Sequence, residues 1–330
     1  MTIDFSALAT TPRLLLEADL RPIQGTRFQP TGFPDLGAAR YDGPDGRQML
    51  LVESAQSMAN RLEAVCWDEA AEDWVEPLKG LPLVNVLDDK GKKLTNSVLE
   101  AHRLNSEYIA RSKDFEKIAR EIDFKKDKPF NVRKQLVPVL LKYDINSLVH
   151  GIFLEEIAGI IRLPRILSAF IEAEDVQVAQ SGGVKFNRVE PGLKEGDGNV
   201  PYPRDEYTSP KITAYFNIDL AQLRGFGLGT TVESLLLAIM FYKIRRFFDA
   251  GLRLRTACDF DLVGLRLVRP SMFELPSINV LEAELPNLIC EANTIVNFAG
   301  ITSVTWDGTG KSKKEKGEKV GKEENSANEE

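Results

Sequence analysis

Residues 14–41, LLLEADLRPIQGTRFQPTGFPDLGAARY, decide how the rest of the chain is interpreted. The first seven are mostly apolar and predict a buried strand, and a turn-rich segment with three prolines and three glycines follows. Arginine and glutamine side chains, beside glycines that leave backbone N–H groups accessible, suit a phosphate-rich chain. The hydrogen-bonding side chains of this segment are Arg21, Gln24, Thr26, Arg27 and Gln29. Two interpretations stay open: a phosphate-holding loop, or a connection whose glycines and prolines only shape turns.

Composition limits the class of protein. The 330 residues are 43% hydrophobic, which is enough for one large or two ordinary domains. A net charge of −7 excludes a generally basic nucleic-acid-binding protein, so any such contact must come from a local basic surface. Cys66, Cys258 and Cys290 lack metal-type spacing, which argues against a zinc site or a disulfide framework. We expect no metal and no cofactor.

The N-terminus lacks a signal-peptide pattern, and no apolar run is long enough to span a bilayer. We therefore expect a soluble cytoplasmic protein without a membrane partner.

Hydrophobic periodicity predicts an alternation of strands and helices. Strands are predicted at 13–21, 48–52, 81–87, 166–176, 211–220, 252–256, 262–268 and 301–306. Helices are predicted at 55–66, 96–109, 131–143 (with a kink or a late start, because Pro138 lies inside), 230–250 and 279–296 (interrupted by Pro286). Ser54 is the expected N-cap of the first helix, and Thr230 with Glu233 forms a capping-box pattern. The mixed order of elements predicts an α+β fold.

Basic residues cluster near the end of the helix predicted at 230–250. Arg245 and Arg246 lie in its last turns, and Arg253 with Arg255 alternates with leucines on one face of the next strand. Two interpretations of these four arginines stay undecided: a solvated surface, or a surface that contacts phosphate.

Two long segments lack a regular pattern. Residues 181–210 are rich in glycine and proline, carry Lys185 and Arg188, and predict a functional loop, a disordered loop or an extended hairpin. Residues 308–330 have six lysines and six glutamates with almost no apolar residue, which predicts a disordered charged tail.

The two histidines, His102 and His150, lie in distant segments without a nearby nucleophile motif. Acid–base chemistry is possible because histidine titrates near neutral pH, but a structural role is favoured.

Several long segments resemble one CRISPR-associated family, the Cas7-type backbone subunit of type I-U (type I-G) Cascade complexes. The resemblance covers residues 13–261. Its segments are 14–41, quoted above, and LLVESAQSMANRLEAVCWD, TNSVLEAHRLNSEYI, SLVHGIFL, RILSAFIEAEDV, SGGVKFNRV and KIRRFFDAGLRLRTACDFDL. The resemblance implies an RNA-recognition-motif-like (ferredoxin-like) palm over 1–307, with helical fingers inserted at about 88–165 and a thumb at about 181–210.

The same resemblance implies the partners. Copies of such a subunit stack head to tail along a crRNA guide, beside other Cascade subunits, and the guide pairs with target DNA. The expected role is non-catalytic, and without the usual sheet aromatics of an RNA-recognition motif we do not predict base stacking on the sheet. The alternative is an RNA-cleaving endoribonuclease, with His102, His150, Asp197 or Asp205 as candidate catalytic residues.

When the RNA-contacting positions of the family are carried over to this sequence, the resemblance implies a set of RNA-contacting residues. They are Arg21, Gln24, Thr26, Arg27, Gln29, His102, Arg103, Arg162, Arg165, Lys185, Arg188, Arg245, Arg246, Arg253 and Arg255.

Overall fold

The chain divides into two compact units. Unit 1 comprises Met1–Lys79 and Arg165–Ala292, and unit 2 comprises Gly80–Pro164 and Asn293–Glu330. The structure is a computed structural model that describes residues 3–33, 36–125, 127–158, 161–186 and 199–308. The predicted tail lies outside the described residues from position 309 onward.

The strands are numbered in chain order. They are β1 (Arg13–Pro22), β2 (Arg27–Phe28), β3 (Gly32–Phe33), β4 (Gly37–Ala38), β5 (Arg40–Asp42), β6 (Gln48–Glu53), β7 (Trp67–Asp68), β8 (Asp73–Trp74), β9 (Leu83–Leu87), β10 (Lys93–Asn96), β11 (Ile152–Leu154), β12 (Ile161–Leu163), β13 (Leu167–Glu174), β14 (Gln177–Phe186), β15 (Asn199–Thr208), β16 (Lys211–Asp219), β17 (Arg253–Arg255), β18 (Cys258–Arg269) and β19 (Ile301–Thr305).

The helices follow the same convention. They are α1 (Ala55–Ala64), α2 (Glu107–Ala110), α3 (Phe115–Ile122), α4 (Val137–Tyr143), α5 (Ile145–Val149), α6 (Glu155–Ala158), α7 (Leu220–Gly225), α8 (Thr230–Asp249) and α9 (Ile278–Val296). Short 3₁₀ turns lie at Ser6–Leu8, Glu76–Leu78 and Arg103–Asn105, and a π-helical turn at Val132–Leu136 precedes α4.

Unit 1 is built on an antiparallel sheet of seven strands in the order β17-β18-β1-β16-β13-β6-β5. In β1 the buried positions are Leu14, Leu16, Ala18 and Leu20, so alternate side chains enter the core as the period of a strand requires. The predicted α+β class is confirmed.

Helices α1 and α8 form the helical part of this core. The apolar residues Met58 and Leu62 of α1 are buried, and α1 contacts both β13 and α8. Phe216 of β16 packs against Phe247 and Phe248 of α8 with ring centroids 6.4 and 5.7 Å apart. The helices therefore pack against the sheet through aromatic and aliphatic side chains.

A second, three-stranded sheet of unit 1 has the order β14-β15-β2. Strands β14 and β15 pair antiparallel from Gln177 opposite Thr208 to Phe186 opposite Asn199. The extended hairpin predicted within 181–210 is confirmed for these strands, and residues 187–198 between them lie outside the described residues.

Unit 2 contains a three-stranded sheet in the order β10-β9-β19 and the two-stranded pair β11–β12. Strand β19 pairs parallel with β9, and β10 pairs antiparallel with it. Helices α2 to α6 are all short, and α3 buries Phe115, Ile118 and Ile122 on one face.

Three local predictions are wrong. The helix predicted at 96–109 is instead the end of β10, a 3₁₀ turn and the short α2, because Asn96 caps a turn through its side chain and Arg103 has a φ of +55°. Pro286 does not interrupt α9, which continues through it. The N-cap of α8 is Gly229 and not Thr230. Of the two alternatives for 131–143, a kink or a late start, the late start is confirmed, since α4 begins at Val137 after the π-helical turn.

Among the described residues, no helix is both long enough and apolar enough to cross a membrane.

Candidate nucleic-acid interface

The loop of residues 23–31 is held by backbone hydrogen bonds to two neighbouring segments of unit 1. The amide of Ile23 donates to Asp259 O at 3.0 Å, and that of Gln29 donates to Ala257 O at 2.8 Å. Thr31 N donates to Val52 O at 2.9 Å. Gly25 turns the loop with a φ of +65°, a conformation that favours glycine. The loop is therefore a defined structure on the sheet and not a loose connection.

The hairpin β14–β15 joins this loop. Strand β2 inside the loop pairs with β15, with Phe28 opposite Tyr207 and Arg27 opposite Thr208. Arg204 Nη2 of β15 donates to Gln29 Oε1. The fold thus brings the turn-rich loop and the predicted thumb segment together, although they are far apart in the sequence.

Two open depressions flank this junction. The first has a volume of about 260 Å³ and is lined by Ile23, Gln24, Gly25, Thr26, Arg27, Glu206, Ala257 and Asp259. The second has a volume of about 540 Å³ and is lined by Gln29, Pro30, Thr31, Gly32, Gly37, Ala38, Pro203, Arg204, Asp205 and Tyr207. Four of the five residues predicted from this part of the sequence line these depressions, and the fifth, Arg21, lies in β1 two positions before Ile23. Their amides, hydroxyl and guanidiniums can donate hydrogen bonds to phosphate oxygens.

Arg21 of β1 and Arg27 of the loop are both exposed, and each pairs with one carboxylate, which is half exposed at Asp261 and buried at Glu206. Arg21 is 70% exposed and lies 3.4 Å from Asp261, and Arg27 is 56% exposed and lies 3.2 Å from Glu206. An exposed ion pair contributes little to stability, so a phosphate could recruit Arg21 at low cost. If a phosphate recruits Arg27, Glu206 still has Arg204 Nε at 3.6 Å.

The four arginines of the second predicted basic cluster do not share one surface. Arg253 is 75% exposed, whereas Arg255 is 25% exposed and donates to Gln29 O, Val52 O and Glu53. Arg245 donates to the carbonyls of Leu275 and Pro276, and Arg246 is half-buried. The alternation predicted for β17 is present, with Leu254 buried between the two arginines, but the guanidiniums differ in exposure and the β17–β18 register shifts between them.

The candidates outside the loop lie in varied surroundings. His102 is exposed, whereas its neighbour Arg103 is only 3% exposed and donates to Gly151 O at 3.3 Å, which makes Arg103 a structural residue. Arg162 is exposed over the ring of Phe153, 4.6 Å from its centroid. Arg165 donates to Gln56 Oε1 at 2.6 Å.

The remaining sequence candidates divide into described and undescribed positions. Arg188 and Asp197 lie outside the described residues, and for Lys185 only the backbone position in β14 is described. His150 is buried, and Asp205 is exposed on the larger depression. In the described part of the chain, no cluster of three or more His, Cys, Asp or Glu residues could hold a metal ion.

The sequence did not point to three residues of this region, which are Glu53, Arg204 and Glu206. Each acts through a partner far along the chain: Arg204 lies 175 positions from Gln29, and Glu53 lies 202 positions from Arg255. The only available signal was that Arg204 and Glu206 fall within the irregular stretch already singled out.

The sheet face opposite the helices carries an aromatic pair that the sequence did not predict. Phe170 and Tyr215 stack with centroids 5.1 Å apart. Glu17 lies opposite Tyr215 in the β1–β16 register, and Arg266 bridges Glu17 and Asp19. These carboxylates disfavour phosphate on this face, so the loop and hairpin form the better candidate interface.

Two solved structures are similar to this chain at low identity. One, titled "CRISPR RNA-guided surveillance complex, pre-nicking", has 13% identity, covers 87% of this chain and 90% of its own, and has a TM-score of 0.41. The other, titled "Crystal structure of Thermofilum pendens Csc2", has 11% identity, covers 87% and 77%, and has a TM-score of 0.30. Both scores lie below 0.5, so these likenesses carry no weight for fold or function. Among curated protein sequences, none matches this chain.

The family model described as CRISPR-associated protein GSU0053 matches residues 14–178. That range is half of the 330-residue chain, and it contains β1, the loop of residues 23–31, α1 and β13. The chain therefore belongs to the CRISPR-associated protein GSU0053 family, a Cas7-type family of type I-U systems.

Proposed function

We propose that this chain is a non-catalytic backbone subunit of a Cascade effector complex in cytoplasmic CRISPR antiviral defence. It polymerises head to tail along a crRNA guide, contacts other Cascade subunits and presents the guide for pairing with target DNA. The observation that carries this proposal is the loop of residues 23–31, which is hydrogen-bonded to the sheet and to the hairpin β14–β15 while residues 23–27 stay exposed.

The connectivity of unit 1 supports an RNA-recognition-motif-like (ferredoxin-like) palm. Its core elements follow in the order β1, α1, β13, β16, α8 and β18, and the four strands lie side by side as β18-β1-β16-β13. A βαββαβ chain in this antiparallel arrangement is the ferredoxin-like pattern. In this proposal the fingers, at about 88–165, fall almost wholly within unit 2, and the thumb at about 181–210 contains β14 and β15.

The chemistry of the interface supports a holder that is blind to sequence. Arginine and glutamine donors fit phosphate and sugar oxygens, and contacts of this kind position a nucleic acid without reading its bases. Because only one surface must be positive, the acidic net charge of the chain is compatible with RNA binding. The proposed contacts are Arg21, Gln24, Thr26, Arg27, Gln29 and Arg253, with Lys185 and Arg188 from the thumb and His102, Arg162, Arg165 and Arg246 as secondary contacts.

The test compares two charge reversals in the full-length protein. Arg27→Glu is expected to weaken guide-RNA affinity at least about tenfold at moderate salt, because it removes a phosphate contact and adds repulsion. Arg120→Glu is the matched control, since Arg120 is also an exposed arginine paired with a single carboxylate, Glu116 at 2.7 Å. Thermal melting of both variants is measured beside the affinity, because Arg27→Glu also places a second carboxylate next to Glu206, which is 11% exposed. A wild-type protein that binds no guide RNA contradicts the function, and an unaffected Arg27→Glu variant contradicts this contact.

A second candidate function is cleavage of guide precursor or target RNA. It is favoured by one observation, the exposed carboxylate of Asp205 on the larger depression beside the loop. Incubation of bound RNA with and without magnesium separates the two functions. Specific cleavage that Asp205→Ala abolishes would contradict the scaffold proposal. Intact RNA under both conditions would support the scaffold proposal.

A further inference from the structure

Gln29 is fixed at three of its atoms. Its amide donates to Ala257 O at 2.8 Å, its carbonyl accepts from Arg255 Nη1 at 3.2 Å, and its side-chain oxygen accepts from Arg204. With Oε1 engaged, the Nε2 donors of the side chain remain for other acceptors at the 540 Å³ depression that Gln29 lines.

Arg255 joins the loop to the sheet. The same Nη1 atom also donates to Val52 O at 3.2 Å, while Nη2 donates to Glu53. Val52 O in turn accepts from Thr31 N, so one guanidinium links the backbone on both sides of Pro30. This bridging needs the planar fork of arginine, which the single ammonium of lysine cannot reproduce.

A buried carboxylate holds Arg255 in this direction. Glu53 is 0% exposed and also accepts from Ser57 Oγ and from Arg61 Nε at 2.8 Å. Arg61 Nη2 donates to Leu254 O, the residue before Arg255, and burial lowers the pKa of Arg61. We call Glu53, Ser57, Arg61 and Arg255 the Glu53 cluster. A buried carboxylate needs such partners, which makes the cluster costly to rearrange.

We propose that Arg255 is a positioning residue for guide RNA: anchored by Glu53, it fixes the backbone at Gln29 so that the loop of residues 23–31 presents its donors to the RNA without Arg255 contacting it. This inference rests on the proposed function, and it assigns Arg255 a different role from the phosphate contact expected from the sequence. The two arginines of β17 differ accordingly: Arg253 faces solvent, and Arg255 faces the loop backbone.

The experiment uses Arg255→Lys and Arg255→Met, with Arg245→Lys as the matched control. Arg245 is also half-buried and donates to two carbonyls, Pro276 O at 3.0 Å and Leu275 O at 2.8 Å, neither of which belongs to the loop. Two readouts are taken: guide-RNA affinity, and amide hydrogen exchange of peptides covering residues 23–31 without RNA.

We expect Arg255→Lys and Arg255→Met to weaken RNA affinity alike, by about tenfold, and to speed exchange within 23–31. Arg245→Lys should leave both readouts at the wild-type level and speed exchange only near 273–278. If Arg255→Met does not fold, Glu53→Gln replaces it, with the same direction expected for both readouts.

Wild-type affinity in Arg255→Lys together with loss in Arg255→Met would overturn the inference, because a retained point charge would then suffice. Unchanged exchange in 23–31 would overturn it as well. Failure of the proposed function looks different: the wild type would bind no guide RNA, while the exchange in 23–31 would still respond to Arg255→Lys.

Discussion

His102 and Arg103 are adjacent in the chain and lie in opposite surroundings. The imidazole of His102 faces solvent, and the guanidinium of Arg103 is buried on the carbonyl of Gly151. Arg103 also has a φ of +55°, which points its side chain away from the direction that a regular helix would give. Two adjacent residues that the sequence offers alike as RNA contacts therefore differ in the fold, because one side chain is exposed and the other is buried.

We predict that Arg103→Met lowers the free energy of unfolding by about 2–3 kcal/mol, because it leaves a buried carbonyl without its charged donor. His102→Ala, the control, should change it by less than about 0.5 kcal/mol. Urea unfolding of both variants measures the difference. Equal stability of the two variants would contradict the buried role of Arg103.

The three cysteines differ in the same way. Cys66 and Cys258 are buried, and burial raises the pKa of each thiol to about 11, whereas Cys290 is exposed. Because the thiolate is the reactive form, we predict that iodoacetamide at pH 8 labels the folded protein once, at Cys290. Mass spectrometry counts the labels, with urea-unfolded protein as the control that takes three. Labelling of Cys66 or Cys258 in the folded protein would contradict this prediction.

At the scale of elements, the starts of α1 and α8 illustrate two ways to begin a helix. Ser54 Oγ accepts from Ser57 N at 3.3 Å and caps α1. Helix α8 begins after Gly229, which has a φ of +83° and a ψ of 159° and offers no side-chain cap. That backbone region is open almost only to glycine, so the glycine and not the capping-box threonine determines this start.

We predict that Ser54→Ala lowers the free energy of unfolding by about 1 kcal/mol, the usual value of an N-cap. Thr230→Ala should change it by less than about 0.5 kcal/mol, because Thr230 already lies inside the helix. Gly229→Ala should cost about 1–3 kcal/mol from backbone strain alone, since an added Cβ meets no atom within 4 Å. Thermal melting of the three variants checks this order, and a large loss in Thr230→Ala would contradict it.

At the scale of the whole molecule, an acidic chain is proposed to hold an acidic polymer. The positive surface must then be local, and RNA binding must release counterions from each phosphate that an arginine contacts. The exposed Arg21, Arg27 and Arg253 are the described residues best placed for this.

We predict that guide-RNA affinity falls steeply with salt, with a slope in log–log coordinates of about −0.7 for each phosphate contact on a single strand. Three contacts would give about −2, and Arg27→Ala should reduce the magnitude by about 0.7. Fluorescence anisotropy with a labelled guide measures the slope, and Arg120→Ala is the control. A flat salt response would contradict a phosphate-dominated interface.

The order of residues alone determined the local features of this protein. The alternating Leu14, Leu16, Ala18 and Leu20 specify β1 and its buried face, and apolar spacing specifies α1 and α8, because these signals lie within a few residues of each other. The long segments shared with the family also lie in the sequence, and the match to residues 14–178 confirms the family they indicated.

Only the tertiary structure decided which polar side chains remain available. Arg255 and Arg253 are equivalent in the pattern, yet Arg255 is engaged by Glu53, 202 positions away, and Gln29 by Arg204, 175 positions away. Such pairings depend on strand order and on an irregular register between β17 and β18, neither of which local periodicity encodes. The physical reason is that burial and hydrogen bonding are set by neighbours in space, whereas propensity is set by neighbours in the chain.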